Sequence, residues 1–349
     1  MRGNAKPSMK KSVLFAALTL LLVAGFWAYQ KYKDYLLPNV PKELKETFVH
    51  IPTGSSFKEV KELLYKEGFI KDTASFRRVA EKLKYRRPKM RAGRFEIQPG
   101  WTNLELVRHL RNGKQAPVKV VITEDARLPE DVAEKVSRFI EPSATEMKAA
   151  FQNDSLIQAL GFTKETFMSL FIPNTYEFFW NTPPEKFLER MKKEHDRFWK
   201  MNDRLGKARK LGLSPEEVYT LASIVERETN RNEEKKRIAG VYLNRLKRGI
   251  KLQADPTAVF ARRDFGTSRV THYHTKYDSP YNTYLYEGLP PGPISMASIA
   301  SIDAVLQAEK HDYIFFCAKG DGSGLHNFAK TLRGHNRNIK KYKQNLKNR

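Results

Sequence analysis

The chain has 349 residues, with 63 lysines and arginines against 39 acidic residues and a formal charge of +24. That length allows two domains plus tethers, and so positive a charge suits an anionic partner: nucleic acid, a membrane surface or an acidic polymer. The one cysteine, Cys317, excludes an internal disulfide framework and a cysteine-based zinc cluster, and there is no phosphate-binding glycine loop or Gly-x-Ser-x-Gly elbow.

In chain order, Arg2, Lys6, Lys10 and Lys11 make residues 1–11 a basic, cytoplasmic N-terminus. Residues 12–29 carry no charge and are long enough for a transmembrane anchor, with Trp27 and Tyr29 suited to the far interface. A cleaved signal peptide is the alternative, but no small-x-small cleavage site precedes Tyr29. The chain beyond about residue 35 is then outside the cytoplasm, which argues against nucleic acid as the partner. Residues 30–45, with Pro38 and Pro41, read as a stalk.

Over 46–118 the pattern predicts a small α/β module. It has strands at 48–52, 93–97 and 117–122, a helix capped by Ser56, a helix over 74–83, and a helix capped by Thr102 and stopped at Gly113. Residues 119–205 carry helical periodicity at 130–140, 146–151, 155–160 and 184–198. They enclose an apolar break at 170–180 whose aromatics suit either core or a carbohydrate cleft. The densest region is 206–336. It contains helices over 214–229, 233–247 and 298–308, an open aromatic stretch to Tyr286, a Gly288–Ser295 loop that its prolines and glycines keep from being regular, and a buried strand at 313–318 holding Cys317. Residues 337–349 form a basic tail. The fold class expected is α+β: one N-terminal transmembrane helix, a small module and a larger mixed catalytic domain.

The segment Leu221–Thr229 carries the chemistry. Ser214, Pro215 and Glu217 open its helix, and Val218, Leu221, Ala222 and Val225 form one apolar stripe. Glu226 falls roughly 90° from the centre of that stripe, at the border of burial. There desolvation raises a carboxyl pKa and equips it as a general acid, provided that it outweighs basic neighbours such as Arg227. The bland alternative is an ordinary border residue. Glu228, about 200° around the helix from Glu226, reads as a solvated runner-up. Gln253, Thr257, Tyr281, Asn282 and Tyr284 are residue types that hydrogen-bond and stack on sugars, and Asp255 either holds substrate or braces its turn beside Pro256. His272-Tyr273-His274 lacks a third ligand at suitable spacing, so no metal and no cofactor are expected.

Five segments in order, Leu221–Thr229, Leu252–Thr257, Tyr281–Tyr284, Gly288–Ile294 and His326–Asn336, resemble the signature segments of the endolytic murein transglycosylases (MltG-like, YceG-like). The resemblance covers nearly the whole chain and implies a LysM-like module over 46–118 followed by a catalytic domain. It also implies Glu226 as the catalytic acid and His326 among the substrate-binding residues. The chain departs from the family where Met168 and Asn174 stand at positions commonly acidic.

By this resemblance the protein is a single-pass protein of the cell (inner) membrane, with a periplasmic or extracytoplasmic catalytic domain. It acts on peptidoglycan glycan strands, with peptidoglycan synthases as candidate partners. Glu226 protonates the MurNAc–GlcNAc oxygen, and its carboxylate then takes the C6 hydroxyl proton as a 1,6-anhydro ring closes and strand elongation ends. A hydrolytic muramidase using Glu226 with Asp255, a non-catalytic wall-binding protein, and a lipid- or nucleic-acid-binding basic protein are the alternatives.

Overall fold

The computed structural model describes residues 9–267 and 269–347. The chain divides into two compact units, residues 1–118 with 179–181, and residues 119–178 with 182–349.

In the first unit, α1 (Met9–Leu36) is long and apolar enough to cross a membrane, and its span is unburied. The helix does not stop where a stalk was expected at residue 30. Its last turn packs on the module: the Asp34 carboxylate is held by Arg78 at 2.6 and 2.7 Å, and Asn103 Nδ2 donates to the Asp34 carbonyl at 3.0 Å. Asn39 then bonds Asn103 and the backbone of Lys71 and Asp72, so residues 34–39 are tied down. The module pairs β1 (Phe48–Ile51) antiparallel with β2 (Gly93–Glu96), Val49 opposite Phe95. Alternation puts Val49, Ile51 and Phe95 into a core with Phe76, Val79 and Leu106. Around the pair lie α2 (Phe57–Lys66), α3 (Thr73–Lys82) and α4 (Asn103–Asn112). Ser56 with Glu59 and Thr102 with Glu105 form complete capping boxes, the local signals on which α2 and α4 were expected.

The second unit starts from β3 (Val118–Ile122), paired with β4 (Asn174–Phe178). Four helices come from residues 129–200: α5 (Pro129–Val136), α6 (Ala144–Phe151), α7 (Asp154–Ala159) and α8 (Pro184–Lys200). The aromatics of the apolar break go mostly to core, with Phe171, Tyr176 and Phe178 buried. Of the two departures, Met168 is buried, and Asn174 is exposed and accepts from the Thr175 amide at 2.7 Å.

After α9 (Arg204–Leu211) comes the central helix, α10 (Pro215–Glu228), opened by the Ser214–Glu217 capping box. The single stripe expected for it is not what forms. All of Val218–Val225 is buried, because α9, α11 (Asn232–Lys247), α12 (Asp255–Arg262) and α14 (Ile299–Leu306) pack around it. Its polar residues are satisfied inside. Tyr219 donates to the Phe171 carbonyl at 2.8 Å and accepts from Ala297 N at 3.2 Å, and Ser223 Oγ accepts from Ile294 N at 3.0 Å. These bonds pin the Gly288–Ser295 loop to α10.

Gly292 is required in that loop by close approach. A Cβ there would lie 1.9 Å from the Glu165 carbonyl oxygen. Gly292→Ala is therefore expected to lower stability by about 2 kcal/mol, read as a reduced urea midpoint at unchanged slope.

Three further elements differ from expectation. The open stretch to Tyr286 contains α12 and the short α13 (His272–Thr275). The strand expected to be buried at 313–318 is β5 (Phe315–Ala318), half-buried, paired antiparallel with β6 (His326–Ala329) in a two-stranded hairpin. A two-stranded hairpin is too small to enclose its residues, so Cys317 is half-buried rather than in the core. The basic tail belongs to α15 (Leu332–Lys347), which begins before residue 337 and packs on β5 and β6.

Candidate active site

The two glutamates at the end of α10 point in different directions and meet opposite environments. Glu226 Oε2 faces the N-terminus of α14. It accepts from Ser298 N at 3.2 Å, Ser301 Oγ at 2.6 Å, Lys235 Nζ at 3.0 Å and the Ser298 hydroxyl. Burial alone would raise its pKa. The serine bonds and the Lys235 ammonium outweigh burial, so the net direction is downward. A helix N-terminus adds to the preference for an anion. The raised pKa expected for Glu226 is thus not found. The opposing cation that matters is Lys235 on α11, almost completely buried, rather than Arg227.

Glu228 is the last residue of α10, where the helix end disfavours negative charge. It is half-buried, where the sequence suggested a solvated side chain. Burial, with the Asp255 carboxylate adding to it, raises its pKa from 4.5 to about 7, against one hydrogen bond from Tyr242 that favours the anion. That bond, Tyr242 Oη to Glu228 Oε1, is 2.6 Å. Two acids two residues apart thus have their pKa values pushed in opposite directions, the arrangement that separates an acid from a spectator.

Glu228 opens into a cavity of about 660 Å³, and Glu226 is not among its lining residues. Gln253, Asp255, Tyr284 and His326 line it together with Glu228. Tyr284 Oη donates to Asp255 Oδ1 at 2.5 Å, and burial and that carboxylate push the phenol pKa up. Gln253 is held at φ 51°, an unusual conformation for a side-chain-bearing residue. Its amide donates to the Thr283 carbonyl at 3.1 Å, and Arg245 bonds the Lys251 and Leu252 carbonyls at 2.9 and 2.8 Å. His326 Nδ1 sits 2.8 Å from Glu234 Oε2, and its backbone amide donates to the same carboxylate. His335, Tyr342 and Lys343 of α15 also line the cavity.

The other three sequence candidates are not brought to this cavity. Thr257 is fully buried and bonds the Ala254 carbonyl at 2.7 Å and Thr283 Oγ1 at 2.8 Å. Asn282 is also fully buried. Its Nδ2 donates to the carbonyls of His274, Thr275 and Tyr277, so it organises the loop. Tyr281 faces a different hollow, beside Phe260. Tyr242, Arg245 and the α15 residues were missed. The i, i+3 spacing of Tyr242 and Arg245 puts both on one face of α11, but nothing local assigns that face to a cavity. Among the described residues no group of three or more potential metal ligands occurs.

The family model for the YceG-like family matches residues 49–341. The chain belongs to the YceG-like family. Among curated proteins it is 30% identical to an endolytic murein transglycosylase of Bacillus subtilis, over 92% of this chain and 91% of that one. It is 28% identical to an endolytic murein transglycosylase of Streptococcus pneumoniae, of which it spans 63%. The crystal structure of a yceG-like protein from Listeria monocytogenes is similar at a TM-score of 0.55 and 30% identity, over 83% of this chain and 97% of that one. The resemblance read from five segments and the mixed α+β class are both borne out.

Proposed function

We propose that this YceG-like chain is a membrane-anchored endolytic lytic transglycosylase of peptidoglycan that uses Glu228, not Glu226, as its acid. Its class follows from the family and from relatives named endolytic murein transglycosylases. The observation that carries the residue assignment is that Glu228, whose pKa burial pushes up to about 7, opens into a cavity of about 660 Å³.

Neutral Glu228 gives its proton to the oxygen between MurNAc and GlcNAc, and the bond from that oxygen to the muramyl C1 breaks. The carboxylate left behind, which Tyr242 stabilises, takes the proton of the muramyl C6 hydroxyl. O6 attacks C1, the 1,6-anhydro ring closes, and no water is consumed. Acid and base are one side chain in turn, so a pKa near working pH serves both steps. Gln253, Asp255, Tyr284 and His326 supply polar contacts for the sugars, and residues of α15 line the same cavity. The N-terminal helix supports a single-pass anchor. The cytoplasmic placement of its basic start, a LysM-like glycan-binding role for the 46–118 module, and contact with peptidoglycan synthases are parts of the same proposal.

Purified sacculi incubated with the full-length protein in detergent are expected to release fragments lighter by one water than hydrolysis products. Reducing-end products would support the second reading, a muramidase, which the sharing of one cavity by Glu228 and Asp255 favours. Tyr242→Phe removes the bond that favours the Glu228 anion. Its alkaline limb of activity is expected to move to higher pH, checked by a pH profile of kcat.

A further inference from the structure

A second hollow, of about 690 Å³, lies at the other end of α12, where Phe260 and Arg263 line it, as Asp255 lines the first cavity. Phe265 and Tyr281 complete an aromatic wall, and Arg127 faces the same space. The Arg263 guanidinium lies 4.1 Å from the centre of the Phe260 ring, and that of Arg127 lies 5.5 Å from Phe265. Burial, with Arg227 close by, pulls Arg127 below its ordinary pKa, and burial does the same to Arg227.

Among the described residues none of these three guanidinium groups has an ion-pair or hydrogen-bond partner. Two nearby acids are engaged elsewhere. Asp131 takes the backbone amides of Arg127 and Leu128 at 2.8 and 2.9 Å, and Glu226 holds Lys235 and the serines. Lys164 on the rim is paired with Asp154 at 2.9 Å. Glu130 and Glu165 also face the hollow, and Gln152 Nε2 donates to Glu130 at 3.3 Å. The lining therefore offers forked donors for carboxylates, acids for an amine and rings for aliphatic chain.

We propose that this hollow receives the stem peptide of the muramyl residue being cut. Arg127 and Arg263 take its carboxylates, and Glu130 and Glu165 face its amine. This rests on the transglycosylase reading for the identity of the ligand. Reach agrees with it: the eight residues of α12 span about 12 Å, and three or four extended peptide residues cover about 10–14 Å. A sugar in the first cavity can thus lay its peptide in the second.

The test is isothermal titration calorimetry of the full-length protein in detergent against a free stem tetrapeptide, L-Ala-γ-D-Glu-L-Lys-D-Ala. The wild type is expected to bind, and Arg127→Gln with Arg263→Gln to weaken binding about tenfold or more. Arg263 is exposed, so Arg263→Gln alone leaves the fold intact and is expected to weaken it about threefold. No heat with the wild type, or equal affinity in both variants, overturns the proposal. In a second arm the double variant is expected to cleave peptide-bearing strands about tenfold more slowly while matching the wild type on strands stripped of peptide; equal slowing on both substrates overturns it. Should the wild type cleave neither substrate, the lyase reading fails, and the peptide titration still decides this one.

Discussion

Glu228→Gln is expected to reduce strand cleavage by about 10²–10⁴-fold, the range for loss of a general acid–base group, with little change in substrate binding. The amide keeps the shape of the carboxyl and can still accept from Tyr242, so the loss isolates proton transfer. The same variant has a stability signature. A carboxyl whose folded pKa stands at about 7 and whose ordinary value is 4.5 weakens the fold as pH rises between those values. It has no effect below the lower value and its full effect above the upper one. That effect is on the order of 3 kcal/mol. Glu228→Gln should therefore be more stable than the wild type at pH 8 and equal to it at pH 4, measured by urea unfolding at both. Full cleavage activity in this variant would remove Glu228 from the mechanism.

Glu226→Gln should act the other way. The Lys235 ammonium is almost completely buried, and its bonds go to Glu226 Oε2 and Ser298. Neutralising Glu226 leaves that ammonium uncompensated between α10, α11 and α14, which is expected to cost about 3–5 kcal/mol. The sign with pH is opposite to that of Glu228. Glu226 has a lowered pKa, so its contribution is present above the ordinary carboxylate value and fades as pH falls through the folded value. Wild type and variant should thus converge in strong acid. The double substitution Glu226→Gln with Lys235→Met replaces the pair by groups that need no partner, and should recover much of the stability. If Glu226 were the acid after all, Glu226→Gln would lose cleavage while melting like the wild type, and Glu228→Gln would keep most of its rate. The two variants therefore discriminate between the assignments in one experiment.

The helix that carries both glutamates was legible from local signals. Ser214, Pro215 and Glu217 act within one turn, and so do Ser56 with Glu59 and Thr102 with Glu105. The start of α12 carries a local signal too: Asp255 followed by Pro256 suits a helix's first turn as well as an isolated turn, and the helix is what forms. β6 is four residues long, too short for alternation to register. The single apolar stripe on α10 failed as a guide because a helix enclosed on every side buries its serine, threonine and tyrosine too, once each finds a partner.

By itself the chain determined the apolar N-terminal helix, the helix caps, the mixed α+β class and the ordered segments that place it in the YceG-like family. It also pointed to Glu226 as the candidate acid, with Glu228 two residues on as the runner-up. Which of the pair keeps a proton was decided only by tertiary structure. A pKa answers to whatever packs against the carboxyl, and both sets of neighbours lie far away in sequence: Ser298, Ser301 and Lys235 for Glu226, and Tyr242 and Asp255 for Glu228. Periodicity fixes the angle at which a side chain leaves its helix, but the charge or dipole waiting there is set by long-range packing.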